Sequence, residues 1–263
     1  MKFKIIISSY IFCFLLGAEI PSSITNDNGF NYTGKNNGNA LVKFTTPEYA
    51  FDVVSDNNGK AYKKPNFSNS SSISAVGAPD LPSRTTFIAV DPSKSYSIQV
   101  SYGSSRVIEN IDIAPKGDWN ELGSDQSISE SNYSNIESFY PTNIALLSEP
   151  MAMRELSLVS LTVSPFRYFP QEKRLEEFMD IEVELIETGN RESINFFPNK
   201  RSRAFEPLYE SLVENYSSLN RENIPYQRPS ILYVLPNNIG NLLGTVEVLM
   251  DWKRRMGYEV NYV

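Results

Sequence analysis

From Ser95 to Tyr102 the chain alternates without a break: Tyr96, Ile98, Val100 and Tyr102 are apolar or aromatic, and Ser95, Ser97, Gln99 and Ser101 are polar. A period of two puts one set against a core and the other in water, which demands a half-covered β-strand and excludes an amphipathic helix. The pattern returns at Ile181, Val183 and Leu185, interleaved with Glu182 and Glu184 as an acidic outer face. Phe87-Ile88-Ala89-Val90 is apolar throughout, as a strand covered on both faces requires. Leu156 and Leu158 fall on one face, whereas Val159, Leu161 and Val163 fall on the other; this change of phase predicts a bulge near Leu158. Val107, Ile111 and Ile113 follow Gly103-Ser104-Ser105, which reads as the turn of a hairpin.

The β texture extends from Ala40 to Ile186, broken by turn-forming runs at Ser55–Lys60, Asn66–Ser74, Pro92-Ser93-Lys94 and Phe169–Lys173. Many short antiparallel strands at this spacing imply a mainly β fold, an antiparallel β-sandwich of jelly-roll-like type over residues 40–195. Residues 19–39 carry little apolar content and read as a flexible leader. The polar stretch Lys116–Ser138 is long for a compact domain and is expected to be functional or disordered, with disorder preferred.

After Glu187 the texture changes. Residues 196–228 read as a helical linker: Phe205, Leu208, Tyr209, Leu212, Val213 and Tyr216 fall on one helical stripe within residues 202–219, and Pro207 suits its first turn. Residues 229–263 belong to another class of fold. Ile231–Leu235 is an apolar strand, Leu242–Met256 an amphipathic helix capped by Gly257, and Tyr258–Val263 a second strand. Such a βαβ unit leaves sheet edges and an apolar face uncovered, so it is expected to be the truncated start of an α/β domain that continues past Val263.

The N-terminus reads as a secretory signal over residues 1–18. Lys2 and Lys4 precede the apolar run Ile5–Leu16, and Gly17-Ala18 offers small residues for cleavage. Twelve helical residues rise only about 18 Å, short of a bilayer core. The same run also admits an uncleaved anchor. Removing Lys2 and Lys4 leaves 22 basic against 31 acidic residues, a net charge near −9, which argues against nucleic acid or anionic membrane as partners. The chain has no histidine, and its single cysteine, Cys13, lies in the apolar run. No Ser-His-Asp triad, Cys-His pair or imidazole metal ligand can be built from these residues. The chain as it stands is therefore expected to be no enzyme, with no catalytic residue, cofactor or metal.

Three ordered segments resemble a known family. Ile231-Leu-Tyr-Val-Leu-Pro, followed by Asp251-Trp252-Lys253-Arg254-Arg255-Met256-Gly257-Tyr258-Glu259-Val260, resembles the opening of the catalytic domain of gingipain-type cysteine peptidases, family C25. In that pattern Trp252 is expected to pack the helix on the sheet, Lys253–Arg255 suit the negative helix end, and Gly257 allows a left-handed exit. Gly77-Ala-Pro79-Asp-Leu81-Pro82 with Phe87–Val90 is similar to a segment of the family propeptide. So is Tyr140-Pro141, Arg154 and Pro165-Phe166-Arg167-Tyr168-Phe169-Pro170. The resemblance implies a secreted zymogen: signal, β-sandwich prodomain, then a caspase-like domain whose Cys-His dyad lies downstream of this chain. It implies that the prodomain inhibits its own downstream catalytic domain, assists its folding and is cut away at basic residues by an activating or self-processing peptidase. Candidate cuts are Arg201, Arg203, Arg221 and Arg228. Arg221 fits best, as a residue after the helix in a short exposed spacer.

Two other functions compete. The sandwich could be a secreted adhesion or carbohydrate-binding module, sharing only β architecture with the family. An enzyme built on Asp and Glu alone, such as a glycosidase, has no matching pair of carboxylates in a cleft-like setting. Trp119 reads as a local cluster, Glu176-Glu177 and Glu182/Glu184 as wet strand faces rather than calcium ligands, and Arg154 as a packing or sheet-face residue. The Asn-x-Ser/Thr triplets at Asn31, Asn66, Asn69, Asn132 and Asn215 are those expected by chance in so Asn- and Ser-rich a chain.

Overall fold

The computed structural model describes residues 28–36, 39–56, 58–119, 126–127, 133–192, 200–238, 240 and 242–263. In chain order the strands are β1 (Phe30–Asn36), β2 (Asn39–Phe44), β3 (Ala50–Ser55), β4 (Ala61–Asn66), β5 (Arg84–Ala89), β6 (Lys94–Ile108), β7 (Asp118–Trp119), β8 (Gln126–Ser127), β9 (Ala145–Leu147), β10 (Met151–Met153), β11 (Leu156–Val163), β12 (Phe166–Phe169), β13 (Arg174–Asn190), β14 (Ser230–Tyr233) and β15 (Glu259–Tyr262). The α-helices are α1 (Glu206–Leu212) and α2 (Leu242–Arg255).

The 17-residue β13 is the spine of a five-stranded sheet. One edge pairs with β12 and then β2, which carries β1; the other pairs with β6 from Arg174's neighbour Leu175 out to Asn190. In the four-stranded sheet, β11 pairs with β5 on one edge and with β9 and β10 on the other. All these pairings are antiparallel. Val42, Phe44, Phe178, Ile181, Val183 and Leu185 of the first sheet form one buried cluster with Ile88, Val159, Leu161 and Val163 of the second. Ile181, Val183 and Leu185 of β13 and Val159, Leu161 and Val163 of β11 thus point at every second position into the same apolar layer, which is the alternation seen in the sequence put to use. The expected antiparallel β-sandwich is present.

A second cluster joins two of the family-like segments. Leu81 packs with Phe166, Tyr168, Leu175, Ile111 and Ile113, and the backbones of Tyr140 and Tyr168 bond reciprocally at 2.9 and 2.7 Å. The Tyr168 hydroxyl donates to the Ile111 carbonyl at 3.0 Å, satisfying a polar group that burial would otherwise penalise. Beside Leu81, the buried Asp80 carboxylate lies 2.8 Å from Lys64 Nζ and 3.6 Å from Lys116 Nζ. Leu81 of the first segment and Tyr140, Phe166 and Tyr168 of the second therefore share one packed cluster.

Five expectations change. Gly103-Ser104-Ser105 makes no hairpin turn but lies inside β6, because β13 continues to offer it a partner down to Leu175. A Cβ at Gly103 would meet the Cβ of Asp180, itself in the left-handed region at φ 52°, at 3.4 Å, an ordinary contact distance. There is no bulge at Leu158, since the register from Leu158↔Ala89 to Val163↔Arg84 is unbroken. Its hydrophobic phase changes because β11 is covered on both faces, not because the backbone slips. Residues 30–36, placed in the flexible leader, form β1, where Phe30 packs on Phe44 with ring centroids 4.8 Å apart. Backbone pairing to β2 needs few apolar side chains, which is why composition missed this strand. The helix expected over 202–219 is shorter: α1 stops at Leu212 and a 3-10 turn covers Tyr216–Ser218. Trp252 does not pack α2 on its sheet; it is exposed, with Lys253 Nζ 4.5 Å from its ring, and Met250 is the buried side chain of that helix.

The signal region, and residues 120–125 and 128–132 of the Lys116–Ser138 stretch, lie outside the described residues. The βαβ unit is as expected: β14 and β15 pair in parallel from Ser230↔Glu259 to Tyr233↔Tyr262, and Gly257 takes φ 93° after α2. Among the described residues no helix is long and apolar enough to cross a membrane. The fully buried Leu161 sits between the sheets. Leu161→Ala is expected to lower unfolding free energy by about 2–5 kcal/mol in a urea titration. A midpoint equal to wild type would show that the sheets do not share this core.

Candidate functional site

The segment 200–228 carries all four candidate arginines and lies against the outer face and edge of the second sheet. α1 starts at Glu206 with Pro207 in its first turn, where a missing N–H is harmless. It ends because Val213 turns extended and joins β5: Val213 bridges Phe87, and the Glu214 N–H donates to the Phe87 carbonyl at 2.9 Å. Asn215 then imitates a strand. Its side-chain oxygen accepts from the Ala89 N–H at 2.8 Å, and its side-chain amide donates to the Ala89 carbonyl at 2.9 Å. Residues 213–215 thereby close the free edge of β5, a row of backbone groups that would otherwise invite foreign strands.

The face is covered as well. Tyr209 and Val213 pack on Leu156 and Leu158 of β11, flanked by Phe205, Leu212, Tyr216 and Leu219. The helical stripe read from the sequence is thus the buried one, apart from Leu208, which is exposed. Phe87 and Ala89 of β5 belong to this cluster, while Ile88 points into the inter-sheet core.

A chain of alternating charges and hydroxyls seals the segment. Arg201 grips Glu206 with two bonds of 2.9 Å. Glu206 accepts the Tyr216 hydroxyl, and Arg221 donates to that hydroxyl at 2.9 Å. Arg221 also pairs at 3.0 Å with Glu155, which stands in the turn immediately before β11 and accepts the Tyr209 hydroxyl at 3.0 Å. The Arg201 guanidinium beside Glu206 holds that carboxyl below its usual range. Burial pushes Tyr216 up to about 12 and raises Tyr209 further, with the neighbouring carboxylates adding to both. The tyrosines therefore stay neutral and donate, as acceptor-only carboxylates need. Paired and satisfied, these buried charges avoid the desolvation penalty that a lone one would suffer.

The four arginines have unlike settings. Arg201 is half-buried and its backbone bonds with Pro225 and Gln227 at 2.9 and 2.8 Å. Arg203 is exposed, with its guanidinium 4.8 Å from the Tyr226 ring. Arg228 is exposed and is followed by Pro229. Arg221 does not lie in the exposed spacer expected for it: it is only 7% accessible, drawn in by Glu155 and two tyrosines. Arg154 is the residue for which the sequence suggests a packing or sheet-face role. It occupies the β10–β11 turn at φ 53°, with its guanidinium 4.4 Å from the Phe205 ring. Glu155 and Asn215 escaped the sequence reading. Glu155 has no local signal beyond its neighbour Arg154, and in the sequence Asn215 stands out only as part of an Asn-x-Ser triplet.

Among the described residues no group of three or more acidic, histidine or cysteine side chains is placed to hold a metal ion. Asn215→Ala leaves both Ala89 groups without their partners and is expected to destabilise the chain by about 1–3 kcal/mol. Chemical denaturation checks this; an unchanged midpoint would mean that residues 213–215 do not close the edge of β5.

Comparison with known proteins bears on this segment. The Propeptide_C25 family model matches residues 32–217, so it covers the sandwich, α1 and the edge-closing Val213–Asn215. Gingipain R2 of Porphyromonas gingivalis is 27% identical over 224 residues, covering 82% of this chain and 30% of that protein. Gingipain R1 of the same organism is 25% identical over 223 residues, 82% of this chain and 22% of that protein. The chain thus spans less than a third of the curated relatives it matches. Among solved structures, a chain of the complex of Porphyromonas gingivalis RgpB pro- and mature domains has the same fold, at TM-score 0.63 and 23% identity, over 73% of this chain and 98% of that one. A chain from the work on zymogenic latency of gingipain K superposes at TM-score 0.51 and 17% identity, over 61% of this chain and 92% of that one.

Proposed function

Because the chain belongs to the C25 propeptide family, the propeptides of gingipain-type cysteine peptidases, we propose that its sandwich restrains a peptidase domain beginning near residue 229. The observation that carries this reading is the extent of the family match. It runs through the sandwich and the docked segment to Ser217, and the parallel βαβ unit follows directly behind. The solved relatives include a complex of pro- and mature domains, which supports an intramolecular partnership. The same match favours the propeptide reading over an adhesion or carbohydrate-binding module.

The sandwich acts by occupying the cleft of its own catalytic domain and by giving that domain a folded surface to form against. Tethering makes this contact intramolecular, so a modest interface suffices while the tether is whole and loses its advantage when the tether is cut. Cutting belongs to the arginine-bearing segment. The chain itself contributes no Cys-His dyad, since it has no histidine. Lys2, Lys4, the apolar Ile5–Leu16 and Gly17-Ala18 support export through a cleaved signal to the cell surface or medium.

Titrating the purified chain into a mature gingipain, with hydrolysis of a peptide substrate as readout, tests the restraint. Saturable inhibition at micromolar concentrations or below, about −8 kcal/mol or stronger, is the expected outcome. Absence of inhibition alongside binding on a glycan array would replace the propeptide reading with that of an adhesion module.

A further inference from the structure

The four arginines differ in what a peptidase would have to displace to use them. An arginine-specific endopeptidase takes the guanidinium before the scissile bond into an acidic pocket of its own and needs the scissile carbonyl free. At Arg221 the protein already supplies such a pocket. The guanidinium is bonded to the Glu155 carboxylate at 3.0 Å and to the Tyr216 hydroxyl at 2.9 Å, and it lies 5.8 and 5.5 Å from the Tyr209 and Tyr216 rings. Its carbonyl accepts from Arg201 Nη1 at 3.3 Å and from the Ile224 N–H at 3.0 Å. Arg201 is held by Glu206 and by backbone bonds to Pro225 and Gln227. Arg228 is exposed, but its scissile nitrogen would be that of Pro229, a tertiary amide with no N–H and a fixed φ. Arg203 is exposed, follows Lys200-Arg201-Ser202 in a basic run, and precedes Ala204.

We infer that Glu155 gates proteolysis of the segment: the Arg203–Ala204 bond is cut first, and the Arg221–Glu222 bond only after the Glu155–Arg221 pair opens. This rests on the propeptide reading for its purpose but not for its chemistry. Each cut adds one water across an amide, leaving a carboxylate on the arginine and an ammonium on the next residue. The co-reactants are water and an arginine-specific endopeptidase. After the first cut, residues 204–219 stay in place through the Tyr209 cluster and the closed edge of β5, so the cage around Arg221 survives it. Opening the cage is then a separate event that sets the timing of the second cut.

The test is limited digestion of the purified chain with an arginine-specific endopeptidase, with new N-termini followed by mass spectrometry. Ala204 is expected to appear first and Glu222 late. In Glu155→Gln the Glu222 terminus should appear about tenfold faster, the change that ~1.4 kcal/mol of lost cage stability produces, with the Ala204 rate unchanged. Glu222 appearing first in the wild type, or at equal rates in the wild type and a folded Glu155→Gln, overturns the gate. If Glu155→Gln loses its fold, cuts will appear after Arg106 and Arg174 inside β6 and β13. Tyr216→Phe, which removes only a hydroxyl, then decides: a faster Glu222 supports the gate and an unchanged rate overturns it. Only cut positions in the isolated chain are read, so failure here leaves inhibition of a mature gingipain untouched, and failure of inhibition leaves this result standing.

Discussion

Strand β11 carries apolar side chains on both faces, with Leu156 and Leu158 opposite Val159, Leu161 and Val163, and much of the molecule follows from that. Val159, Leu161 and Val163 fill the layer between the sheets, while Leu156 and Leu158 need a second cover, which Tyr209 and Val213 provide. A sandwich with one solvated outer face could end at Asn190. This one cannot, because an uncovered stripe of Leu156, Leu158, Phe87 and Ala89 would be an apolar patch at a sheet edge. The segment after the sandwich is thus bound to it by the hydrophobic effect, by backbone pairing to β5 and by a charged seal. That places the region expected to be cut in a folded setting, where side-chain pairing rather than sequence decides which arginine is open.

The seal also shows why a propeptide benefits from buried ion pairs that add little to net stability. Replacing such a pair by apolar groups is often neutral or better, whereas breaking it leaves a stranded charge. A contact that is cheap to keep whole and costly to half-remove suits a segment that must hold until one event releases it. Arg201, Glu206, Tyr216, Arg221 and Glu155 form one connected series, so losing a member disturbs its neighbours.

Legibility in the sequence followed the range of the interactions. Period-two alternation in β6 and β13 and the apolar run of β5 depend on which faces are covered, and both were readable. The strand–helix–strand end was equally plain, since its signals, Gly257 included, are local. What could not be read depends on partners far away in the chain. Gly103 looked like a turn because nothing nearby announces that β13 will pair across it. The phase change in β11 looked like a bulge because the second cover lies some fifty residues on. Arg221 looked exposed because Glu155, 66 positions earlier, draws it inward. The stripe Phe205–Tyr216 was correctly identified as apolar, but helical spacing alone does not reveal that Val213 leaves the helix to join a strand.

Amide hydrogen exchange under native conditions tests most directly whether residues 205–219 belong to the fold of the sandwich. The account predicts that the amides of Glu214 and Ala89, bonded to Phe87 and to Asn215, exchange as slowly as those of the inter-sheet strands and lose protection together with them in denaturant. Fast exchange at Glu214 and Ala89 while β11 and β13 remain protected would contradict it, and would make the segment a tether lying on the sandwich rather than part of it.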